Sequence, residues 1–194
     1  MYRKDHKNES YTVRAKKEGY PARSVYKLKE IDERYKIIKQ GDWVLDLGSA
    51  PGSWMLYISK KIGERGKVLG IDTEETEIKA GNVVFIKKDI KEADLAGRRF
   101  NVVVSDLAPK TTGIKSVDSA RSLELAELAF EISRKTLLPR GNFVCKIFES
   151  EETDSLIKEI EKSFRTVKRF RPLAVYKGSK EFYIIAEGFK KHEK

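Results

Sequence analysis

Trp43-Val44-Leu45-Asp46-Leu47-Gly48-Ser49-Ala50-Pro51-Gly52-Ser53-Trp54, residues 43–54, passes from an apolar run into a turn bearing two glycines. A strand that ends in a glycine turn and leads into a helix is the opening unit of an open α/β sheet. The rest of the chain repeats the alternation. Short apolar runs return at 67–71 (KVLGI), 82–86 (NVVFI), 101–105 (NVVVS) and 142–148 (NFVCKIF), rich in the β-branched and aromatic residues that favour strands. Upstream, Val25, Leu28, Ile31, Tyr35 and Ile38 recur every three to four residues after Pro21, which predicts an amphipathic helix. Downstream, 117–138 is helical in pattern through Leu123, Leu125, Leu128, Ile132 and Leu137, with Pro139 and Gly141 as its stop, and 153–164 is a second such stretch. Nearly continuous apolar strands alternating with helices predict a mostly parallel sheet covered on both faces. Two last strands, at about 165–170 and 182–186, bring the sheet to seven. Only the short Lys177-Gly178-Ser179-Lys180 link stands between Tyr176 and Glu181. No crossover helix fits there, so the last strand is expected to run antiparallel.

The chain has 194 residues, the size of one domain. Folding at this length removes roughly 70% of the unfolded chain's surface from water, enough for a core without staples. With a single cysteine, Cys145, a disulfide scaffold is excluded. No apolar run approaches the ~20 residues a bilayer span needs, and the basic start lacks the apolar stretch of a secretory signal. A cytoplasmic protein with no membrane partner is the expectation. Net charge is +10. Residues 1–40 hold 12 basic and 6 acidic side chains and residues 165–194 hold 9 and 3, which leaves 19 against 21 between them. A slightly acidic body with two basic ends suits either solubilising tails or a phosphate-backbone surface. Tyr2, Tyr11 and Tyr20 interleave the N-terminal charges, as stacking residues for single-stranded RNA would.

Ligands of open α/β sheets bind beyond the carboxyl ends of the strands, which directs attention to Gly48, Ser49, Ala50, Pro51, Gly52 and Trp54. No Lys-Ser/Thr pair follows, so the turn is not a phosphate-gripping P-loop, and the G-x-G-x-x-G of dinucleotide folds is missing. Pro51 also removes an N–H that a pyrophosphate would want. Asp72 ends the second strand, where a ribose diol would be hydrogen-bonded, and Asp89 follows the third. A ring of carboxylates repels phosphate and suits S-adenosylmethionine, which offers a sulfonium, an amine and a ribose. The plain alternative is a glycine turn with solvated acids.

Asp106 follows the fourth strand, and Lys146 lies in an otherwise apolar fifth strand, where a lysine is costly. With the last strand antiparallel, Glu181 at its start reaches the same sheet edge. Lys27, from the first amphipathic helix, is a candidate fourth charge. Each also has an ordinary reading: a snorkelling lysine, a turn-capping aspartate, an edge-strand glutamate and a solvated helix lysine.

Together these stretches resemble the FtsJ-like (RrmJ-type) RNA 2′-O-ribose methyltransferases, the ribosomal RNA large subunit methyltransferase E family. The matching segments are Arg23-Ser24-x-x-Lys27-Leu28, Asp46 to Trp54, Ser105-Asp106-Leu107-Ala108-Pro109, Val144-x-Lys146 and Glu181-x-Tyr183-Ile184-x-Ala186. The resemblance implies a Rossmann-like class I S-adenosylmethionine-dependent methyltransferase fold over 21–189, with a basic extension at 1–20 and a tail at 190–194. It implies a catalytic tetrad of Lys27, Asp106, Lys146 and Glu181, with Lys146 as base. S-adenosylmethionine would then lie on Gly52, Trp54, Asp72, Asp89 and Asp106. It further implies a uridine of large-subunit ribosomal RNA as target, a monomer, and no metal. Ser53 stands where many members have a second glycine, a departure expected to matter little. No RNA-binding module follows the catalytic fold, which bears on the choice of substrate.

The chemistry asks for such a group independently. A ribose 2′-hydroxyl is a weak nucleophile and must lose its proton as it attacks a methyl carbon. Burial and Lys27 favour the free amine of Lys146, whereas Asp106 and Glu181 favour the ammonium, so Lys146 is either the proton acceptor or a cation at the developing alkoxide. His6 and His192 lie near the ends and Cys145 has no partner ligand, so no metal is expected. Alternative functions are methylation of a tRNA anticodon loop and a catalytically silent RNA-binding ribosome-assembly factor. A nicotinamide oxidoreductase fails for want of the glycine fingerprint.

Overall fold

The computed structural model describes residues 6–190. Its elements run α1 (His6–Lys17), α2 (Val25–Tyr35), β1 (Trp43–Leu47), α3 (Ser53–Ile62), β2 (Lys67–Asp72), β3 (Val83–Lys87), β4 (Phe100–Ser105), α4 (Lys115–Thr136), β5 (Leu137–Phe148), α5 (Thr153–Ser163), β6 (Phe164–Phe170) and β7 (Glu181–Phe189). The seven strands form one sheet in the order β3-β2-β1-β4-β5-β7-β6. β7 pairs antiparallel with both β5 and β6, and the pairs on the other side of β5 are parallel. The order reverses between β1 and β4, so the carboxyl ends of these two strands flank the crevice where such sheets bind ligands.

Successive residues of a strand face opposite sides, and here both sides are buried. Leu45, Leu47, Phe143, Cys145 and Ile147 pack against Ala126, Ala129 and Phe130 of α4 and Leu156, Ile157 and Ile160 of α5. Val44, Val102, Val104, Val144, Tyr183 and Ile185 pack on the other face against Leu28 and Ile31 of α2 and Met55, Ile58 and Ile62 of α3. Burial on both faces is why the strands read as continuous apolar runs.

Three local features differ from the expectation. The helix ending at Thr136 stops before Leu137, whose buried side chain belongs to β5 and whose partner is Phe100. The register then breaks, so Val102 pairs with Asn142, and Arg140 takes a positive φ of 66°. Pro139 and Gly141 thus mark an irregularity inside a strand, where a residue left out of the ladder tolerates a missing N–H. The connection from β6 to β7 is residues 171–180, longer than the four-residue link, yet the pair is antiparallel. Finally, the stretch before Pro21 contains α1, which is docked. Ala15 and Tyr20 are buried with Val25 and Tyr26, and Tyr11 lies 5.2 Å from the Tyr26 ring. Glu18 bonds Lys29 of α2 at 2.6 Å, and with Arg14 this holds its carboxyl down at about 2. Residues 1–5 and 191–194, including Tyr2, lie outside the described residues.

Candidate active site

The turn after β1 is shaped by two glycines with positive φ, Gly48 at 76° and Gly52 at 105°. A Cβ on Gly48 would sit 2.8 Å from Leu107 Cδ2 and 3.1 Å from the Leu107 backbone, and one on Gly52 would overlap Ile78 and Thr76. Neither conformation nor space admits another residue. Asp72, at the end of β2, is tied to this turn: one carboxylate oxygen accepts from the Ala50 N–H and the other from the Glu74 N–H, both at 2.9 Å. Each oxygen keeps a lone pair for a ligand. Asp89 is exposed and caps the single 3₁₀ turn Ile90–Glu92 by accepting from the Lys91 N–H. Ser49 is buried and Pro51 exposed at the rim.

Asp46 is the residue that sequence reasoning did not assign. It is fully buried, and neither carboxylate oxygen has a hydrogen-bond partner; the hydroxyls of Ser49 and Ser105 are buried without partners as well. Burial, then the charges of Asp106 and Asp72, push its carboxyl well above the usual range. Buried polar atoms are nearly always satisfied. A carboxylate and hydroxyls left open at the carboxyl ends of β1 and β4 fit a ligand bearing a cationic amine, as does a turn that offers carboxylates and no string of amides. The signal was present in sequence, an acid in the apolar run WVLDL.

Close to Asp46 four charges meet. Lys146, only 6% exposed, donates to the Asp106 carbonyl at 2.6 Å and pairs with its carboxylate at 3.2 Å. Lys27 pairs with Glu181 at 2.6 Å, both side chains largely buried. The Tyr183 hydroxyl joins the two pairs, lying 2.7 Å from Asp106 Oδ1 and 3.1 Å from Glu181 Oε1. Tyr183 faces Lys146 across the β5–β7 ladder, so the antiparallel register puts the ring between both carboxylates. Its E-x-Y setting was visible in sequence, but its role as the bridge needs the pairing register. Burial would raise the Asp106 carboxyl, but Lys146, Lys27 and the Tyr183 hydrogen bond together hold it below the usual range. Burial, then Asp106 and Glu181, keep the Tyr183 phenol protonated by pushing it well upward.

The glycine turn also places Lys27. Ser53, the first residue of α3, accepts the Ala22 N–H at 2.6 Å, and the Trp54 indole N–H donates to the Ser24 carbonyl at 2.9 Å. These two bonds fasten the lead-in of α2 to the loop. Trp54 is buried, 5.9 Å from the Tyr183 ring. Ser53, expected to be inconsequential, therefore performs a bond that glycine cannot make. A cleft of roughly 630 Å³ is lined by Lys115, Ser119, Glu149 and Lys180, among others, and by none of Lys27, Asp106, Lys146 and Glu181. Among the described residues no His, Cys, Asp and Glu side chains are grouped as metal ligands, and the buried Cys145 thiol is pushed by desolvation up to about 12.

Fold and site together define a Rossmann-like class I methyltransferase. Its sheet is shared with an S-adenosylmethionine-dependent O-methyltransferase of Thermotoga maritima (13% identity, TM-score 0.59, covering 86% of this chain and 66% of that one). It is shared more fully with a Plasmodium falciparum protein described as a ribosomal RNA methyltransferase (25% identity, TM-score 0.78, 88% and 98%). The chain belongs to the FtsJ-like methyltransferase family, whose model matches residues 20–189. Curated relatives named ribosomal RNA large subunit methyltransferase E include those of Bdellovibrio bacteriovorus, 44% identical over 185 residues (91% of this chain, 94% of the relative), and Syntrophobacter fumaroxidans, 45% over 195 (94% and 99%). Among the described residues no helix is long and apolar enough to cross a membrane.

Proposed function

We propose that the protein methylates the 2′-hydroxyl of a uridine in large-subunit ribosomal RNA, using S-adenosylmethionine. The observation that carries the reading is the joining of Lys146, Asp106, Tyr183, Glu181 and Lys27 into one bonded set close to the buried Asp46, whose carboxyl oxygens have no hydrogen-bond partner. The curated relatives' names supply the ribosomal substrate. The protein would work in the cytoplasm as a monomer, on RNA within the large subunit.

When bound, S-adenosylmethionine supplies a methyl group on a sulfonium, which leaves as a neutral thioether. Asp46, Ser49 and Ser105 suit its amino acid end, Asp72 its ribose, and Gly48 to Gly52 the close approach of backbone; Asp89 is a candidate for its far end. Lys146 addresses the RNA: with its own proton given up to solvent, its free amine takes the proton of the ribose hydroxyl as that oxygen bonds the methyl carbon. Asp106 holds that amine by carbonyl and carboxylate, Tyr183 fixes Asp106, and the Lys27–Glu181 pair walls the site. Removal of a positioned base costs roughly 10²–10⁴ in rate. Lys146→Ala is therefore expected to lose methyl transfer by that factor with cofactor affinity within a few-fold, and Lys146→Arg to lose it too, since a guanidinium cannot deprotonate. An active Arg variant assigns Lys146 the cation role instead. The deciding experiment incubates the protein with methyl-labelled S-adenosylmethionine and ribosomal RNA, ribosomal subunits or tRNA, then identifies the labelled nucleoside. Label in 2′-O-methyluridine of large-subunit RNA is expected; label chiefly in tRNA overturns the ribosomal assignment.

A further inference from the structure

The loop joining β6 to β7 exposes two large apolar side chains, Leu173 and Tyr176. The loop is fixed. Arg171 donates to the carbonyls of Ser179 at 2.5 Å and Tyr176 at 3.3 Å, and the Ser179 N–H closes on the Tyr176 carbonyl at 3.1 Å. The Leu173 N–H donates to Glu30 of α2 at 2.6 Å, while Ala174 and Val175 are buried. The Arg23 guanidinium lies over the Tyr176 ring, 3.8 Å from its centroid. One side of the ring is thus set on a planar cation, yet Tyr176 remains 55% exposed.

Its place matters. Tyr176 precedes Glu181 by five residues, and Arg23 precedes Lys27 by four, in the turn that leads into α2, where the Tyr26 N–H donates to the Arg23 carbonyl at 3.1 Å and the Lys27 N–H to the Ser24 carbonyl at 3.0 Å. Lys27 and Glu181 are the ion pair at the wall of the site. The Arg23–Tyr176 stack is thus tied by a short stretch of chain on each side to the Lys27–Glu181 pair, within reach of a strand whose ribose meets Lys146.

We propose that the outer face of Tyr176, backed by Arg23, is a stacking platform for a base of single-stranded RNA adjacent to the nucleotide being methylated. The inference rests on the RNA methyltransferase reading above and narrows its substrate to an unpaired strand. A tyrosine ring accepts any base, because every base has a π face, and the cation behind it adds attraction. In a duplex both faces of each base are already stacked, so the platform engages a strand only where it is open.

The test uses the full-length protein and three variants, Tyr176→Ala, Tyr176→Phe and Tyr176→Trp. Affinity for a labelled oligouridylate is read by fluorescence anisotropy, and methyl transfer to ribosomal RNA by labelled cofactor. Loss of one stacked base corresponds to roughly a ten- to hundredfold loss of affinity. Tyr176→Ala is expected to weaken oligomer binding and raise the KM for RNA by that factor. The rate at saturating RNA and S-adenosylmethionine affinity should stay within about threefold. Phe and Trp are expected to bind within about threefold of the parent. The slope of log affinity against log salt should not change, because no phosphate contact is lost. Unchanged RNA affinity in Tyr176→Ala overturns the platform; so does an equal loss in Tyr176→Phe, which would implicate the hydroxyl, and so does a loss accompanied by a shallower salt slope or a lowered melting temperature. An active parent with an unaffected Ala variant refutes the platform alone, whereas a parent that neither binds the oligomer nor labels any RNA refutes the RNA reading and the platform with it.

Discussion

Asp46 is held in the folded protein without a hydrogen-bond partner and with its carboxyl pushed well above the usual range by burial, Asp106 and Asp72. An acid whose folded value is raised adds stability only while the unfolded chain is also protonated, below about pH 3.9. As pH rises above that, the unfolded state gains by ionising and the ligand-free fold loses relative stability until Asp46 itself ionises. Asp46→Asn removes this titration. Its melting temperature should therefore exceed that of the parent by a margin that widens from pH 4 toward pH 7, measured without cofactor, and S-adenosylmethionine should raise it less than it raises the parent. A margin that shrinks with pH would show that Asp46 is ionised and satisfied in the free protein. Ser53 gives a second test at this scale. Ser53→Ala leaves the Ala22 N–H without its partner, a loss of about 1–3 kcal/mol, or roughly 2–4 °C of melting temperature for each kcal/mol. Because that bond seats the lead-in of Lys27, methyl transfer should fall with it. An Ala variant with parental stability and rate would show that Trp54 alone holds α2.

At the scale of elements, α1 is where the sequence was least legible. Its charges dominate the pattern, and the single i, i+4 pair of Tyr11 and Ala15 is too short a run to mark a helix, so the stretch reads as an extension. The central strands were legible because they are buried on both faces and so nearly all apolar, while β3 and β6 are more exposed, and the antiparallel β7 was legible because the connection before it has no room for a crossover helix. The end of α4 was not. Leu137 and Leu138 continue the helical pattern, and only the pairing of Leu137 with Phe100 decides that they belong to β5. At the site, Lys146 was readable as a charge in an apolar strand and the glycines as turn residues, but the engagement of Asp72 with Ala50 and the bridging hydroxyl of Tyr183 depend on contacts between elements far apart in sequence. The docking of α1 changes what truncation should do. Removing residues 1–18 strips Tyr11 and Ala15 from Tyr26 and Glu18 from Lys29, beside the lead-in that Ser53 and Trp54 hold. The truncated protein should lose on the order of 2 kcal/mol, about 4–8 °C in melting temperature. An unchanged melting curve would show that α1 contributes nothing to the body.

For the whole molecule, the two basic ends of the chain meet on one flank. Tyr35 at the end of α2 packs edge-on against Phe170 of β6 at 5.6 Å, with Arg34 over Phe170 and Lys168 over Tyr35. Arg23 and Glu30 reach the loop after β6. Part of the positive charge is bound internally, since Arg169 pairs with Glu149 and Asp154, Lys168 with Glu187 at 3.9 Å, and Lys29 with Glu18. Each such pair is neutral, so the net charge of +10 is carried by the remaining side chains. Exposed lysines from the two ends of the chain include Lys16 and Lys17 of α1 and Lys177 and Lys180 of the 171–180 loop. Each phosphate contact on a single strand contributes about 0.7 to the slope of log affinity against log salt. Replacing either pair with glutamine should flatten that slope by roughly 1.4, and replacing both by roughly 2.8, because sites without shared partners add. Additive flattening in a salt titration of RNA binding would mean one footprint drawn from both ends of the chain. A slope altered only by Lys177 and Lys180 would confine the footprint to the loop beside Glu181 and leave α1 as a structural element whose charge faces solvent.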